Sequence, residues 1–189
     1  MKESFRSMRL KGEGGEGMPS VEVPHRAGTQ DIERMMSLYG RALLRMCYVY
    51  LRDMALAEDA VQDTFFKAFL HFGSFHGLSS EKTWLTQIAI NTCKSILRKP
   101  WWKHVDRSKG LENMPLPVSD IAPADGEVLR AVMNLPEKYR GSVLLYYYQE
   151  LKTDDVAKIL GIAPSTVLVR LKRAREKLKS QLEGWYFDE

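Results

Sequence analysis

The densest chemical signal lies near the C-terminus, where six basic side chains fall within ten residues and only Glu176 opposes them. These six are Arg170, Lys172, Arg173, Arg175, Lys177 and Lys179. Cationic side chains clustered in this way can neutralise nucleic-acid phosphates, or they can form the solvated face of a helix. The chemistry of this run is therefore binding by charge rather than bond making.

The residues just before this run give it a context. The pattern over 152–178 predicts a short helix capped by Thr153, a left-handed turn at Gly161 and a second helix that starts at Pro164. A short helix, a glycine turn and a second amphipathic helix form a helix-turn-helix. The second helix of that motif presents its N-terminal residues to base edges and its basic flank to phosphates, so the context favours DNA binding.

A second polar stripe occurs on the helix predicted over 80–99. Its members are spaced four, three and four residues apart and therefore share one face: Gln87, Asn91, Lys94 and Arg98. Trp101 and Trp102 follow directly. Amide and basic groups beside aromatics suit single-stranded nucleic acid, since stacking on an aromatic supplies about 1–3 kcal/mol per base. An ordinary solvent-facing stripe fits the same spacing equally well, and both interpretations stay open.

A third candidate surface lies on the outward side of the helix predicted over 57–72. It combines two carboxylates, an amide and an aromatic ring: Asp59, Gln62, Asp63 and Phe66. This combination is compatible with a protein–protein contact, although single exposed aromatics are common on protein surfaces.

Catalysis and metal binding find no support in the sequence. There is no Ser–His–Asp grouping, phosphate-binding glycine loop or paired-carboxylate motif in a credible context. The four histidines and two cysteines lack metal-ligand spacing. We therefore expect no enzyme activity, no catalytic residue, no metal site and no cofactor, and we interpret Cys47 and Cys93 as reduced core thiols.

Helical periodicity in both halves of the chain predicts an all-α fold of two small domains joined by a flexible linker. The first domain is expected over 31–99, with helices over 31–53, 57–72 and 80–99. The second is expected over 127–184, with helices over 127–134 and 136–150 before the helix-turn-helix. The remaining segments are interpreted as a flexible extension over 1–30, a proline-rich linker over 100–126 and a tail over 185–189.

Composition excludes several classes of protein. The chain of 189 residues carries 28 basic and 24 acidic side chains, and a net charge of +4 is too small to identify a nucleic-acid binder by itself. The longest apolar run, Val143 to Tyr148, is far shorter than the roughly 18 residues of a membrane span. The N-terminus lacks the apolar region of an export signal. We therefore expect a cytoplasmic protein with no direct membrane insertion.

Four stretches of the chain together resemble the extracytoplasmic-function (ECF) sigma factors, the small two-domain bacterial initiation subunits within the sigma-70 family. ALAEDAVQDTFFKAF (55–69) is similar to that family's polymerase-binding helix, and FHGLSSEKTWLTQIAINTCKSILRK (75–99) to its −10-reading loop and helix. NLPEKYRGSVLLYYYQELKTDDVAKILGIAPSTV (134–167) resembles its C-terminal domain, and RLKRAREKL (170–178) its recognition helix.

The resemblance implies a role for each surface. The surface on the helix predicted over 57–72 would bind the β′ clamp helices of core RNA polymerase through Asp59, Gln62, Asp63 and Phe66. The −10 element would be captured by Ser74, Phe75, His76, Ser79 and Ser80, and followed as melted DNA by Gln87, Asn91, Lys94 and Arg98. The −35 element would meet Ser165, Thr166, Leu168, Val169, Arg170, Lys172, Arg173 and Arg175. The β subunit, promoter DNA and an anti-sigma factor are the further partners implied.

Some positions depart from the family's pattern. Members commonly carry a basic residue and then Ser or Thr where this chain has Leu168 and Val169, and apolar side chains can touch a thymine methyl but cannot read guanine. Ala163 stands in place of a frequent hydroxyl cap, and Gln87 in place of a frequent arginine. Two other functions remain as alternatives: a stand-alone helix-turn-helix regulator with a sensing or dimerisation domain, and a helical adaptor that binds an acidic protein.

Overall fold

The computed structural model describes residues 26–100 and 123–186, and within these ranges every regular element is helical. The first domain holds α1 (Arg26–Leu51), α2 (Met54–Leu70), a short 3₁₀ turn (Phe72–Ser74) and α3 (Glu81–Leu97). The second holds α4 (Pro123–Asn134), α5 (Glu137–Val143), a π-helical turn (Leu144–Tyr148), α6 (Thr153–Leu160) and α7 (Pro164–Tyr186). The all-α prediction is confirmed.

The three helices of the first domain pack against one another around a shared apolar core. The predicted stripes supply that core, which includes Met35, Leu43, Met46, Ala57, Phe65, Leu85 and Ala89. Side-chain caps fix where two of the helices begin: Asp53 accepts a hydrogen bond from the Leu56 amide at 2.9 Å, and Ser80 accepts one from the Thr83 amide at 3.1 Å. The Ser80 cap determines where the loop between α2 and α3 ends, and hence where its side chains lie.

In the second domain α7 packs on α4, α5 and α6. The turn between α6 and α7 forms as predicted, since Gly161 closes α6 with φ of 69° and Pro164 begins α7. The first cap differs from the prediction: Lys152 is the N-cap and Thr153 is the first helical residue. The backbone of Lys152 is extended, and its side chain makes no capping hydrogen bond. Asp154 and Asp155 in the first turn supply the negative charge that stabilises a helix N-terminus.

Several element boundaries differ from those predicted; α2, for example, spans Met54–Leu70 rather than 57–72. Helix α1 begins at Arg26 rather than residue 31, because a single glycine, Gly28, is tolerated within a long packed helix. Helix α4 begins at Pro123 rather than 127, because proline suits a first helical turn. The helix predicted over 136–150 changes after Val143 into a π turn, in which the Gln149 amide bonds to the Leu144 carbonyl at 2.9 Å. The rest of the predicted extension (1–25) and linker (101–122), including Trp101 and Trp102, and residues 187–189 of the tail lie outside the described residues.

The two domains contact each other directly. The Tyr50 hydroxyl donates to Glu137 at 3.1 Å, and the Arg52 guanidinium donates to the Leu135 carbonyl at 3.4 Å. Gly141 permits this approach, because a Cβ at that position would lie 3.2 Å from the Tyr50 ring. The buried residues of both domains form one continuous cluster. We refer to this contact between α1, α3 and the second domain as the interdomain contact.

Gly161 provides a test of the helix-turn-helix turn. Replacing Gly161 with alanine should lower the free energy of unfolding by about 1–2 kcal/mol, because a Cβ is strained in the left-handed region. No atom lies within 4 Å of the added methyl, so this loss reflects backbone strain and not a clash. Gly73→Ala is the matched control, since it also adds a methyl in open space but at an ordinary φ. Urea denaturation of both variants measures the difference, and equal stabilities would contradict the assignment.

Candidate nucleic-acid interface

Helix α7 separates its buried and exposed residues onto opposite faces. Val167, Leu171 and Ala174 are buried against the rest of the second domain. The residues predicted to meet the −35 element occupy the other face: Ser165, Leu168, Val169, Lys172, Arg173 and Arg175 are exposed, and Thr166 and Arg170 are half-buried. The structure therefore places all eight predicted residues on the first three turns of one helix, and only Arg170 turns partly towards the interdomain contact.

Two tyrosines of the second domain hold basic side chains of α7. The Arg175 guanidinium donates to the Tyr147 hydroxyl at 3.2 Å. The Arg173 guanidinium beside the Tyr139 hydroxyl lowers the pKa of that tyrosine. Sequence reasoning missed both tyrosines as supports of the basic face. The π turn gave no periodic signal, although it is what exposes Tyr146, Tyr147 and Tyr148 while Leu144 and Leu145 remain buried.

The loop between α2 and α3 is organised around Trp84. The Phe75 ring stacks on Trp84 with centroids 4.7 Å apart, and the Phe72 ring meets Trp84 edge-on at 6.5 Å. Ser74 donates to the His71 carbonyl at 2.7 Å, and Ser80 caps α3. Three of the five residues predicted to capture a −10 base therefore also hold the loop in shape.

The outer part of this loop is available to a partner. Its two remaining predicted residues, His76 and Ser79, are exposed. Leu78 between them is 96% exposed, and sequence reasoning missed it. An apolar residue flanked by glycine and serine was the signal that could have identified it.

The polar stripe predicted on α3 is present as one face. Gln87, Asn91 and Arg98 are exposed, whereas Lys94 is half-buried. The Lys94 ammonium donates to the Ile159 and Leu160 carbonyls at the end of α6, at 3.3 and 3.5 Å. Burial lowers the pKa of Lys94, and the nearby positive charges of Arg98 and Arg170 lower it further. One predicted DNA contact is thus engaged by the second domain.

An ion pair fixes the start of α3. The Arg34 guanidinium on α1 donates to both carboxylate oxygens of Glu81, at 2.6 and 2.9 Å. Bidentate pairs of this kind add geometric specificity. The pair lowers the pKa of Glu81, so that its carboxylate stays charged at the positive end of the α3 dipole. The pairing sets the direction of α3 relative to α1, and with it the position of the polar stripe.

The protein-contact surface predicted on α2 is exposed in full. Asp59, Gln62, Asp63 and Phe66 all face solvent, and Phe66 is 61% exposed. Leu70 extends the surface by one further turn and is also exposed, which sequence reasoning missed. On the neighbouring side of α2, Lys67 donates to Thr92 of α3 at 2.9 Å. This hydrogen bond fixes the rotation of α2 and keeps the surface facing outwards.

The cleft at the interdomain contact collects positive charge. Its volume is about 480 Å³, and its lining includes Lys94, Lys138 and Arg170, with Glu137 as the acidic member. One residue predicted to follow the −10 strand, Lys94, and one predicted to meet the −35 duplex, Arg170, therefore lie along a single cleft. These cations are suited to phosphate groups.

The two cysteines lie together in the core of the first domain. Both are free and buried. The hydrogen bond between the thiols, together with burial, raises the pKa of Cys47 well above its usual value, which keeps it protonated and unreactive. Within the described ranges, no group of three or more His, Cys, Asp and Glu side chains could hold a metal ion. No helix among those described is long and apolar enough to cross a membrane.

Comparison with known proteins matches two segments of the chain to family models. Residues 35–103 match the family model for sigma-70 region 2, and residues 125–178 match the model for sigma-70 region 4. The chain is 31% identical over 170 residues to the ECF RNA polymerase sigma factor SigW of Bacillus subtilis, covering 82% of this chain and 91% of the relative. It is 32% identical over 154 residues to SigM of the same organism, covering 79% and 93%.

A solved structure agrees with these sequence matches. The sigma factor RpoE from Bartonella quintana, determined in complex with the anti-sigma factor NepR, superposes with a TM-score of 0.67 at 25% identity. The superposition covers 85% of this chain and 99% of that chain. The two region models, the relatives and the helical architecture lead to one conclusion: this chain belongs to the ECF sigma factors of the sigma-70 family.

Proposed function

We propose that this chain directs core RNA polymerase to promoters, reading the −35 element with α7 and the −10 element with α3 and the loop before it. The observation that carries the proposal is the exposed, basic N-terminal half of α7 behind a correctly formed helix-turn-helix turn. A helix placed in this way enters the major groove with its first turns against base edges. The lysine and arginine side chains that flank those turns supply phosphate contacts.

The first domain is suited to a single strand. Extruding a base from duplex DNA costs a few kcal/mol, which stacking and hydrogen bonds must offset. The loop over 74–80 offers His76, Leu78 and Ser79 for this purpose. The stacked rings of Phe75 and Trp84 hold the loop in a rigid shape. The exposed face of α3 continues from it and offers Gln87, Asn91 and Arg98 to the strand. The α2 surface remains for the polymerase.

The interdomain contact supports a requirement for polymerase. Promoter elements named −35 and −10 lie about 25 base pairs apart, which is about 85 Å of B-DNA at about 3.4 Å per base pair. Lys94 and Arg170 line one cleft in this structure, so the two DNA-facing surfaces cannot reach both elements at once. Promoter binding therefore requires the domains to separate. We infer that the clamp helices of β′ and the β subunit hold them apart.

In this function the polymerase catalyses RNA synthesis, and this chain would supply promoter selection and strand opening. Its place of action would be the cytoplasm, with the polymerase. An anti-sigma factor is a further proposed partner. The support is the similar sigma factor of Bartonella quintana, whose structure contains one.

Reconstitution with core enzyme tests the function. The purified chain should co-elute with core RNA polymerase and direct run-off transcription from its promoter without another factor. The free chain should bind the same duplex weakly, because its domains are packed together. Tight promoter binding by the free chain, combined with no association with core enzyme, would instead identify a stand-alone regulator.

The α2 surface gives a sharper prediction. Replacing Asp63 and Phe66 together with alanine should weaken core-enzyme binding by about tenfold or more, because aromatic side chains dominate such contacts. Both side chains are exposed, so the variant should fold normally. Competition against labelled wild-type protein for core enzyme measures the loss. Glu33→Ala removes an exposed carboxylate from α1, outside this surface, and serves as the control. Full competition by the double variant would remove the α2 surface from the proposal.

A further inference from the structure

Two exposed apolar side chains stand on the DNA-facing side of α7. Leu168 is 56% exposed and Val169 is 48% exposed. They are not part of the core stripe, because Val167, Leu171 and Ala174 complete the packing of α7 and are all buried. Polar neighbours surround them on the same face, with Ser165 one turn before and Lys172 one turn after. Their exposure therefore has no structural role within the described part of the chain.

The position of these residues identifies what they would meet. They lie on the first two turns of the second helix of a helix-turn-helix, the turns that approach base edges in the major groove. Within that groove the four bases present donors and acceptors, and thymine alone adds an apolar group, its C5 methyl. Leucine and valine have no hydrogen-bonding atoms in their side chains. Binding becomes tighter where these side chains cover a methyl group. It becomes weaker where they cover a polar base edge, because that edge loses its hydrogen bonds to water.

We propose that Leu168 and Val169 determine the −35 specificity of this chain by packing on thymine methyl groups. This inference rests on the proposed function, and it adds the base that is read and the atoms that read it. Lys172 and Arg173 hold α7 against the phosphate backbone of the DNA. Leu168 and Val169 select for thymine, on either strand, at the positions beneath them. A guanine at those positions offers only acceptors, which neither side chain can use.

Base analogues test this reading one methyl at a time. Holoenzyme formed with core RNA polymerase is first used to select promoter duplexes from a pool randomised across the −35 element. We expect thymine to be enriched at one or more positions. Each selected thymine is then replaced with deoxyuridine, which removes the methyl and leaves every hydrogen-bonding group in place. Holoenzyme affinity should fall by about three- to tenfold at the positions read by Leu168 or Val169, the scale of one buried methyl group.

Protein variants identify the side chains responsible. Leu168→Ala combined with Val169→Ala should bind the thymine and deoxyuridine duplexes equally, which is the signature of a direct contact in a double-mutant cycle. Both side chains are exposed, so the variant should keep its fold. Lys172→Ala with Arg173→Ala should weaken binding to both duplexes and preserve their ratio. At a thymine position read by these side chains, a duplex with 5-methylcytosine should bind more tightly than one with cytosine, because the same methyl is returned.

The outcomes separate this inference from the function it rests on. Wild-type holoenzyme that prefers its selected −35 element but is indifferent to deoxyuridine overturns the thymine reading and leaves the promoter-recognition function in place. Deoxyuridine sensitivity that persists in the Leu168→Ala, Val169→Ala variant overturns the assignment to these residues. A chain that never associates with core enzyme overturns the proposed function itself, and the thymine reading with it.

Discussion

Replacing Arg140 with alanine is expected to lower the free energy of unfolding by about 2–4 kcal/mol. Arg140 is only 4% exposed, and its Nη1 donates to the Met133 carbonyl at 2.7 Å and the Leu135 carbonyl at 3.2 Å. The Met133 carbonyl lies in the last turn of α4 and the Leu135 carbonyl directly follows it, where no intrahelical donor is available. Alanine would remove the donor to the Met133 carbonyl, would leave the Leu135 carbonyl only its bond from Arg52, and would open a cavity beside α5.

Arg140 also reaches across the interdomain contact. Its guanidinium lies 5.8 Å from the centre of the Tyr50 ring, which belongs to the first domain. Loss of this side chain should therefore weaken the docking of the domains as well as the second domain itself. Guanidinium chloride unfolding measures the change in stability. Arg140→Lys, which keeps the charge but lacks the planar fork, should lie between wild type and Arg140→Ala. Wild-type stability in Arg140→Ala would show that these hydrogen bonds contribute nothing.

The second large effect is expected on DNA. Holoenzyme carrying Lys172→Ala and Arg173→Ala should bind its promoter about tenfold or more weakly, and the plot of log affinity against log salt should flatten by about two units. Binding releases counterions in proportion to the number of phosphates that the protein neutralises. The slope therefore reports how many phosphate contacts the variant has lost. Both side chains are exposed on α7, which limits any effect on folding.

A charge-conserving exchange provides the control for this experiment. Lys172→Arg with Arg173→Lys keeps both positive charges, so the salt slope should stay close to that of wild type. Filter binding or fluorescence anisotropy at several salt concentrations measures both variants. An unchanged slope and unchanged promoter choice in the double-alanine variant would exclude these two residues from the DNA interface.

Helical periodicity predicted the elements and their faces, because burial repeats along a helix at a fixed interval. The polar stripe of α3 and the outward face of α2 were predicted in this way, whereas the left-handed turn at Gly161 was predicted from the glycine itself. Periodicity does not report which element a face will meet. The interdomain contact depends on a close approach of Gly141 to Tyr50, and a glycine within a helix gives no sequence signal for that.

The details that sequence missed arise from competition between local roles. Phe75 could have been a stacking platform for a base, but its ring stacks on Trp84, which lies in the first turn of α3. Thr153 has the chemistry of a cap, yet the chain bends one residue earlier, at Lys152. The π turn over 144–148 replaces a regular helix end because it exposes three tyrosine rings without exposing Leu144 and Leu145.

The docking of Lys94 against the end of α6 has a consequence for how the free protein moves through the cell. A chromosome offers about 10⁶–10⁹ non-specific sites, and a chain that displayed all its cations would spend most of its time on them. Holding Lys94 and Arg170 along one cleft shortens the charged surface that a duplex can contact. We therefore expect the free chain to bind non-specific DNA less tightly than it would with both of these cations displayed.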